Sequence, residues 1–262
     1  MVGLVTGVLL TFVFVLLHEY EHAREMAKRG FKIEEWGFGV PVTSWPRLRL
    51  PSLWPLPDTP FYLNIIPIMA YVKNSHRNSL KIQRLPYNES AVIYGSGIWG
   101  SIFYPLVVAS VCEVAIGNYQ YAAECLVGAV VLYSLKKNFC RWAVIPMGIF
   151  LLALLLRDLL LGHYTSERGY LTAAASVYGL HLTFPQGVML GCFVSIVLGI
   201  MNTLPFFPFD GGHTMRALLQ RLQVQHRWLE VYVDVSALIM FGLMAYNLAA
   251  LVFHYLRWLF AK

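Results

Sequence analysis

The stretch VGLVTGVLLTFVFVLL, residues 2–17, runs without a charge or a proline into His18-Glu19-Tyr20-Glu21-His22. Crossing a bilayer core takes about 20 largely apolar residues in a helix, and this run with its flank supplies them. Positions four apart on a helix share a face. His18 and His22 can therefore offer imidazole nitrogens to one Zn²⁺, with Glu19 beside them as a general base. For a chain with eight His, chance occurrence of this pattern is expected roughly 0.01 times. The bland alternative is a hydrogen-bonded polar cluster without metal. An ionisable group at bilayer centre costs on the order of 3 kcal/mol, so four such groups on one helix point to a cavity, a partner or a metal.

Composition extends the membrane reading to the whole chain. Of 262 residues, 58% are hydrophobic and 13% charged, where a soluble domain carries about a quarter charged residues. The expected fold is an all-α polytopic membrane protein. Six spans are expected, at 3–22, 90–112, 121–135, 142–161, 188–209 and 229–256, the third short for a 30 Å core. Residues 1–17 resemble a signal peptide in length but lack its basic start and small-residue cleavage site, so a retained first helix is expected. The chain divides as one integral-membrane domain, 1–262: a zinc-motif helix (1–28), a cytoplasmic-side loop (31–87), core helices (88–228) and a C-terminal helix (229–262).

Charge orients these spans. With the loop after the first helix inside, the cytoplasmic segments hold 16 of the 20 Lys and Arg. Lys and Arg accumulate on that side in membrane proteins, which places both termini outside, in an inner or cell membrane. The net charge of +6 is thus a topology signal, and no nucleic-acid partner is needed to explain it. Cys112, Cys125, Cys140 and Cys192 show no metal-binding spacing. Cys112 and Cys125 fall near one face where they can pair, although small packing residues are the simpler reading.

The one sizeable polar stretch, 23–89, is interrupted by Pro41, Pro46, Pro51, Pro55, Pro57 and Pro60. Glu35–Val42 and Phe61–Val72 are rich in aromatic and β-branched residues. Two readings fit: a hairpin-like element whose edge accepts an extended peptide, or an irregular interfacial loop anchored by Trp36, Trp45 and Trp54. Further on, Tyr94-Gly95-Ser96-Gly97-Ile98-Trp99-Gly100-Ser101 carries the small residues that let helix backbones approach closely in lipid.

Asn202-Thr203-Leu204-Pro205-Phe206-Phe207-Pro208-Phe209-Asp210-Gly211-Gly212 closes the fifth expected span. Its prolines break the helix, and broken backbone at membrane depth is tolerated only against protein or a wet cavity. Asp210 is a carboxylate at the depth of His22, and a two-histidine catalytic zinc site still lacks one protein ligand. An interfacial Asp-Gly turn would explain Asp210 and the glycines but not Asn202 or the prolines. His213, after the double glycine, reads as a group near the ligands more readily than as a ligand.

Together these segments resemble the site-2 protease family of intramembrane zinc metalloproteases. The zinc motif, a strand segment Ile66-Pro67-Ile68-Met69-Ala70-Tyr71-Val72-Lys73, the small-residue helix and the Asn202–Gly211 motif fall in the family's order over residues 1–213. The resemblance implies a three-helix catalytic core with a small membrane-associated β-loop. It implies one Zn²⁺ per chain held by His18, His22 and Asp210, catalysis by Glu19 and Asn202, and substrate contacts from Asn202, Pro205 and Tyr71. The substrate it implies is a transmembrane protein or peptide, cleaved within or near its membrane segment at the cytoplasmic side of the bilayer. The chain departs from the family pattern at Tyr20 and Glu21, where small or apolar residues are usual, and at Ala70, where glycine is frequent. With no room for a PDZ insertion, a minimal member without a regulatory domain is expected.

Two other classes compete. A lapsed protease keeping its zinc for partner binding is motivated by Glu21, which could compete for the metal. A metal transporter would spread ionisable residues along several spans; here they gather at one depth.

Overall fold

A computed structural model describes residues 2–41, 46–50, 59–65, 70–75, 78, 81–82, 84–160, 182–239 and 242. The apolar run and the zinc motif form one 26-residue helix, α1 (Val2–Ala27). A four-stranded sheet follows: β1 (Ile33–Phe38), β2 (Arg47–Leu50), β3 (Phe61–Asn64) and β4 (Ala70–Asn74). Then come α2 (Tyr87–Ala115), α3 (Tyr119–Ser134), a helical turn and π-helical segment at 136–143 leading into α4 (Val144–Leu160), α5 (Phe184–Met201) and α6 (Asp210–Arg221). Residues 226–239 are helical as well.

Four described helices are long and apolar enough to cross a membrane: Val2–Ala27, Tyr87–Ala115, Lys136–Leu154 and Phe184–Met201. The expected third span is a helix of 16 residues. That is about 24 Å at 1.5 Å per residue, short of a roughly 30 Å core. The expected fifth span stops earlier than its hydropathy suggests, at Met201 rather than 209. The expected sixth begins within 226–239 and runs into residues outside the description, as do Trp45, Trp54 and Ile66–Met69.

α1, α2 and α5 pack on one another pairwise and form the expected three-helix core. Glycines set the α1–α5 contact. A Cβ on Gly187 would lie 1.9 Å from the Gly3 carbonyl oxygen, and one on Gly191 2.8 Å from that of Gly7. Each helix thus contributes a Gly-x-x-x-Gly pair, the spacing that brings backbones together in lipid. α5 is started by a capping box between Thr183 and Gln186, with proline in its first turn.

The sheet order is β2-β3-β1-β4. The two expected segments do pair, but not as a hairpin. β1 lies between β3, parallel (Trp36 opposite Phe61), and β4, antiparallel (Trp36 opposite Val72). The 61–72 segment supplies a strand on each side of β1, so β3 is paired on both edges by β1 and β2. β4 is left as an edge. Trp36, Phe38, Phe61 and Ala70 pack with Ala23 and Met26 of α1 and Ile93 of α2 into one core cluster. All four cysteines are unpaired.

Candidate metal centre

α1 carries His18 and His22 one turn apart with both rings buried. The third group arrives from 188 residues away. After α5 ends at Asn202, the chain folds back on itself: the Gly211 N–H donates to the Asn202 carbonyl at 2.8 Å. Tyr232 Oη donates to the Pro205 carbonyl at 2.7 Å, and the Phe207 N–H to Ser236 Oγ at 3.2 Å. The irregular backbone thereby finds partners inside the protein, as it would need to at membrane depth. The double glycine is what permits the fold-back, since a Cβ on Gly211 would lie 2.1 Å from the Thr203 carbonyl oxygen. α6 then starts at Asp210, packed on α2, with the Asp210 carboxylate reaching the histidines of α1.

The result is a triangle of donor atoms. His18 Nε2 lies 3.0 Å and His22 Nε2 3.2 Å from Asp210 Oδ2, and the two nitrogens lie 3.1 Å apart. His22 Nδ1 is 2.7 Å from the Ile93 carbonyl oxygen, which only accepts, so Nδ1 carries the proton. His22 Nε2 in the neutral ring is then a bare lone pair facing a carboxylate. His18 Nδ1 is held 2.8 Å from Ser101 Oγ, a hydroxyl that can accept from it or donate to it. Hydrogen bonds of this kind fix the tautomer and aim of metal-bound histidines. With Nδ1 protonated on both rings, lone pairs converge on one point, an arrangement that a cation makes favourable. Tetrahedral zinc with bonds of about 2.0–2.1 Å has ligand–ligand edges of about 3.3–3.4 Å, so the three atoms fit the ion to within a few tenths of an ångström. Among the described residues this is the group of three metal-ligating side chains whose donor atoms come within 4.8 Å of one another. Were the two imidazoles protonated instead, their positive charge would outweigh burial and hold the Asp210 carboxyl well below the usual carboxylate range.

Gly97 of α2 makes room for this triangle. A Cβ there would lie 2.2 Å from His22 Nε2 and 2.7 Å from His18 Nε2. Beside the triangle opens a cavity of about 310 Å³. Glu19, His22 and Met26 of α1, Val72 and Asn74 of β4, and Pro208, Asp210 and His213 lie in its wall. Tyr71 sits on the other face of β4, buried with its hydroxyl 3.5 Å from Asn64 Nδ2. Pro205 is buried beneath the loop and Asn202 closes the fold-back; neither is in the cavity wall.

Glu21 is turned away from the ligands. It is fully buried, accepting hydrogen bonds from Tyr104 Oη and Lys136 Nζ, with Arg24 Nη1 at 3.4 Å. Lys136 in turn lies 4.2 Å over the Trp99 ring. Helix geometry explains this separation, because adjacent residues point about 100° apart and Glu21 cannot share the face of His22.

Sequence reasoning gives Tyr94 and Ser101 only a place in a packing segment and passes over the Ile93 carbonyl and Lys136. Only the small-residue run at 94–101 signalled that α2 would touch the zinc motif. Compared with curated proteins, the chain finds no match. A family model described as peptidase family M50 matches residues 6–244, a range that takes in both histidines, Glu19 and the distant aspartate. The chain, with its His-Glu-x-x-His helix and its membrane-spanning core, belongs to peptidase family M50, the site-2 protease family of intramembrane metalloproteases.

Proposed function

We propose that the chain hydrolyses a peptide bond within or beside a transmembrane segment of a membrane-protein substrate, using one Zn²⁺ held by His18, His22 and Asp210. The observation that carries this reading is the convergence of those three donors, from opposite ends of the sequence, on one wall of a cavity that also holds Glu19. Zn²⁺ bound there supplies a lowered pKa to water and polarisation to the substrate carbonyl. Glu19 takes the proton from the attacking water and delivers it to the leaving amine.

The cavity's opposite wall suggests how substrate is held. β4 is an edge strand whose Val72 and Asn74 face the site. A helical substrate hides its peptide bonds in its own hydrogen bonds and must unwind first. Added as a strand on β4, it would regain main-chain partners while presenting one bond to Glu19. Asn202 ends α5 beside this site and is proposed to support the substrate backbone. By the charge distribution, the sheet and the site lie on the cytoplasmic side of an inner or cell membrane, with both termini outside.

The lapsed-protease reading loses its motive, because Glu21 is engaged by Tyr104 and Lys136 rather than by the metal position. Zinc content and cleavage together test the proposal. Wild type and Glu19→Gln should each bind one zinc, Asp210→Asn should bind it weakly, and Glu19→Gln should not cleave single-span peptides that wild type cleaves in vesicles. Cleavage by Glu19→Gln at the wild-type rate would sink it.

A further inference from the structure

We propose that His213 is a further catalytic residue of this site, an uncharged donor of a hydrogen bond to the carbonyl oxygen of the peptide bond under attack. The inference rests on the proteolytic reading above. His213 stands three residues after Asp210 in the first turn of α6, so the two share a helix face, and both lie in the wall of the cavity with Glu19 and His22.

Its ring is clamped. Tyr94 stacks on it, centroids 4.5 Å apart and planes within 8°, and Phe207 meets it edge-on at 4.5 Å. Tyr94 also packs its ring 6.4 Å from that of His22, so one aromatic side chain sets the place of both imidazoles. Held this firmly, the imidazole nonetheless satisfies nothing in the protein. The one hydrogen bond of His213 among the described residues runs from its backbone N–H to the Phe209 carbonyl, at 3.4 Å. A neutral imidazole has one N–H donor and one acceptor, and in this half-buried position they are left to water or a ligand in the cavity to complete. Its nitrogens stand outside the group of donor atoms formed by His18, His22 and Asp210, so it is not a further metal ligand. Burial pushes its pKa down to about 4, against the pull of the Asp210 carboxylate, so the ring is neutral at physiological pH and its N–H is a donor without net charge.

A rigid, preoriented donor beside the reacting bond is what stabilises charge developing on a carbonyl oxygen. The family resemblance implies a catalytic role for Asn202, but Asn202 is not in the cavity wall, whereas His213 is. His213 keeps its proton throughout; the proton traffic belongs to Glu19.

Two substitutions separate the ring from its hydrogen bond. His213→Phe keeps the stacking on Tyr94 and loses the donor, whereas His213→Gln keeps a donor. The full chain in detergent is loaded with zinc and titrated with two probes. One is an apolar peptide phosphinate, whose tetrahedral phosphorus mimics the reacting carbon; the other is acetohydroxamate, which needs only the metal. Zinc stoichiometry and acetohydroxamate affinity should be unchanged in both variants. Phosphinate affinity should fall roughly 100-fold in His213→Phe, the scale of losing one oxyanion donor, and by less than about tenfold in His213→Gln. Wild-type phosphinate affinity in His213→Phe overturns the proposal, as does a parallel loss of zinc or of acetohydroxamate, which would make His213 a structural support. A wild type that binds no zinc, or binds zinc and neither probe, would instead overturn the proteolytic reading on which this one rests.

Discussion

Single atoms decide whether the metal centre can exist, and Gly97 is the sharpest case. Its α-hydrogen faces the two ligand nitrogens, and a methyl group in its place would lie 2.2 Å from His22 Nε2. Gly97→Ala should therefore lose zinc at a site where alanine normally favours a helix. Zinc analysis of the purified variant beside its circular dichroism checks this: helical protein with wild-type zinc would show that α2 yields instead. Lys136 makes the opposite kind of contribution. Its ammonium, half enclosed by the Trp99 ring, neutralises the fully buried Glu21 one residue from a ligand. Lys136→Met leaves that carboxylate to Tyr104 and the longer Arg24 contact and should cost less than the about 3–5 kcal/mol of a wholly unpaired buried charge, while the double change Glu21→Gln, Lys136→Met should cost less still. Thermal unfolding of the three variants in one detergent gives the comparison, and equal loss in single and double variants would refute the pairing. Residues of the first kind are legible in sequence as a small side chain near a motif. The partner of Glu21 is not, because 115 residues separate the two and nothing local announces their meeting.

Helices and strands explain which parts of the site could be read in advance. The His-Glu-x-x-His ligands share one turn of one helix, so period alone places them. Asp210 needed a second argument, from proline-broken backbone at matching depth, because its approach depends on how α5 crosses α1. That crossing is governed by Gly3, Gly7, Gly187 and Gly191. These glycines are inconspicuous in long apolar runs, and no property of one helix names the helix it will meet. The sheet was half legible for a similar reason: β-rich composition marks the segments, but pairing between distant strands is set by the surface they cover, here Ala23 and Met26 of α1 and Ile93 of α2. If the glycine crossing aims α5 and the loop after it, widening the crossing should act at a distance. Gly187→Leu, near the far end of α5 from Asn202, is expected to lower zinc affinity although it touches no ligand. An unchanged zinc titration in a folded Gly187→Leu variant would show that the fold-back at 202–211 positions Asp210 unaided.

Across the whole molecule, the metal position joins the first helix to a loop and helix some 190 residues later, and nothing else within the site bridges them covalently. A cation there is bound by the folded arrangement and not by the separated helices, so its binding free energy becomes stability. At free zinc a thousandfold above Kd the linkage amounts to about 4 kcal/mol. In a chain of this length that corresponds to a rise in melting temperature on the order of 10 °C. Chelation should therefore lower the melting temperature of the wild type, and zinc should restore it in a concentration-dependent way. The same titration on Asp210→Asn should be nearly flat, since removing one corner of the triangle leaves two imidazoles on a single helix, which bind metal without tying α1 to α6. The reverse outcome, a zinc-dependent melting temperature that survives Asp210→Asn, would mean that the two histidines find their third ligand elsewhere. The junction of α1 with the Asn202–Asp210 loop would then be held by its own packing and hydrogen bonds alone.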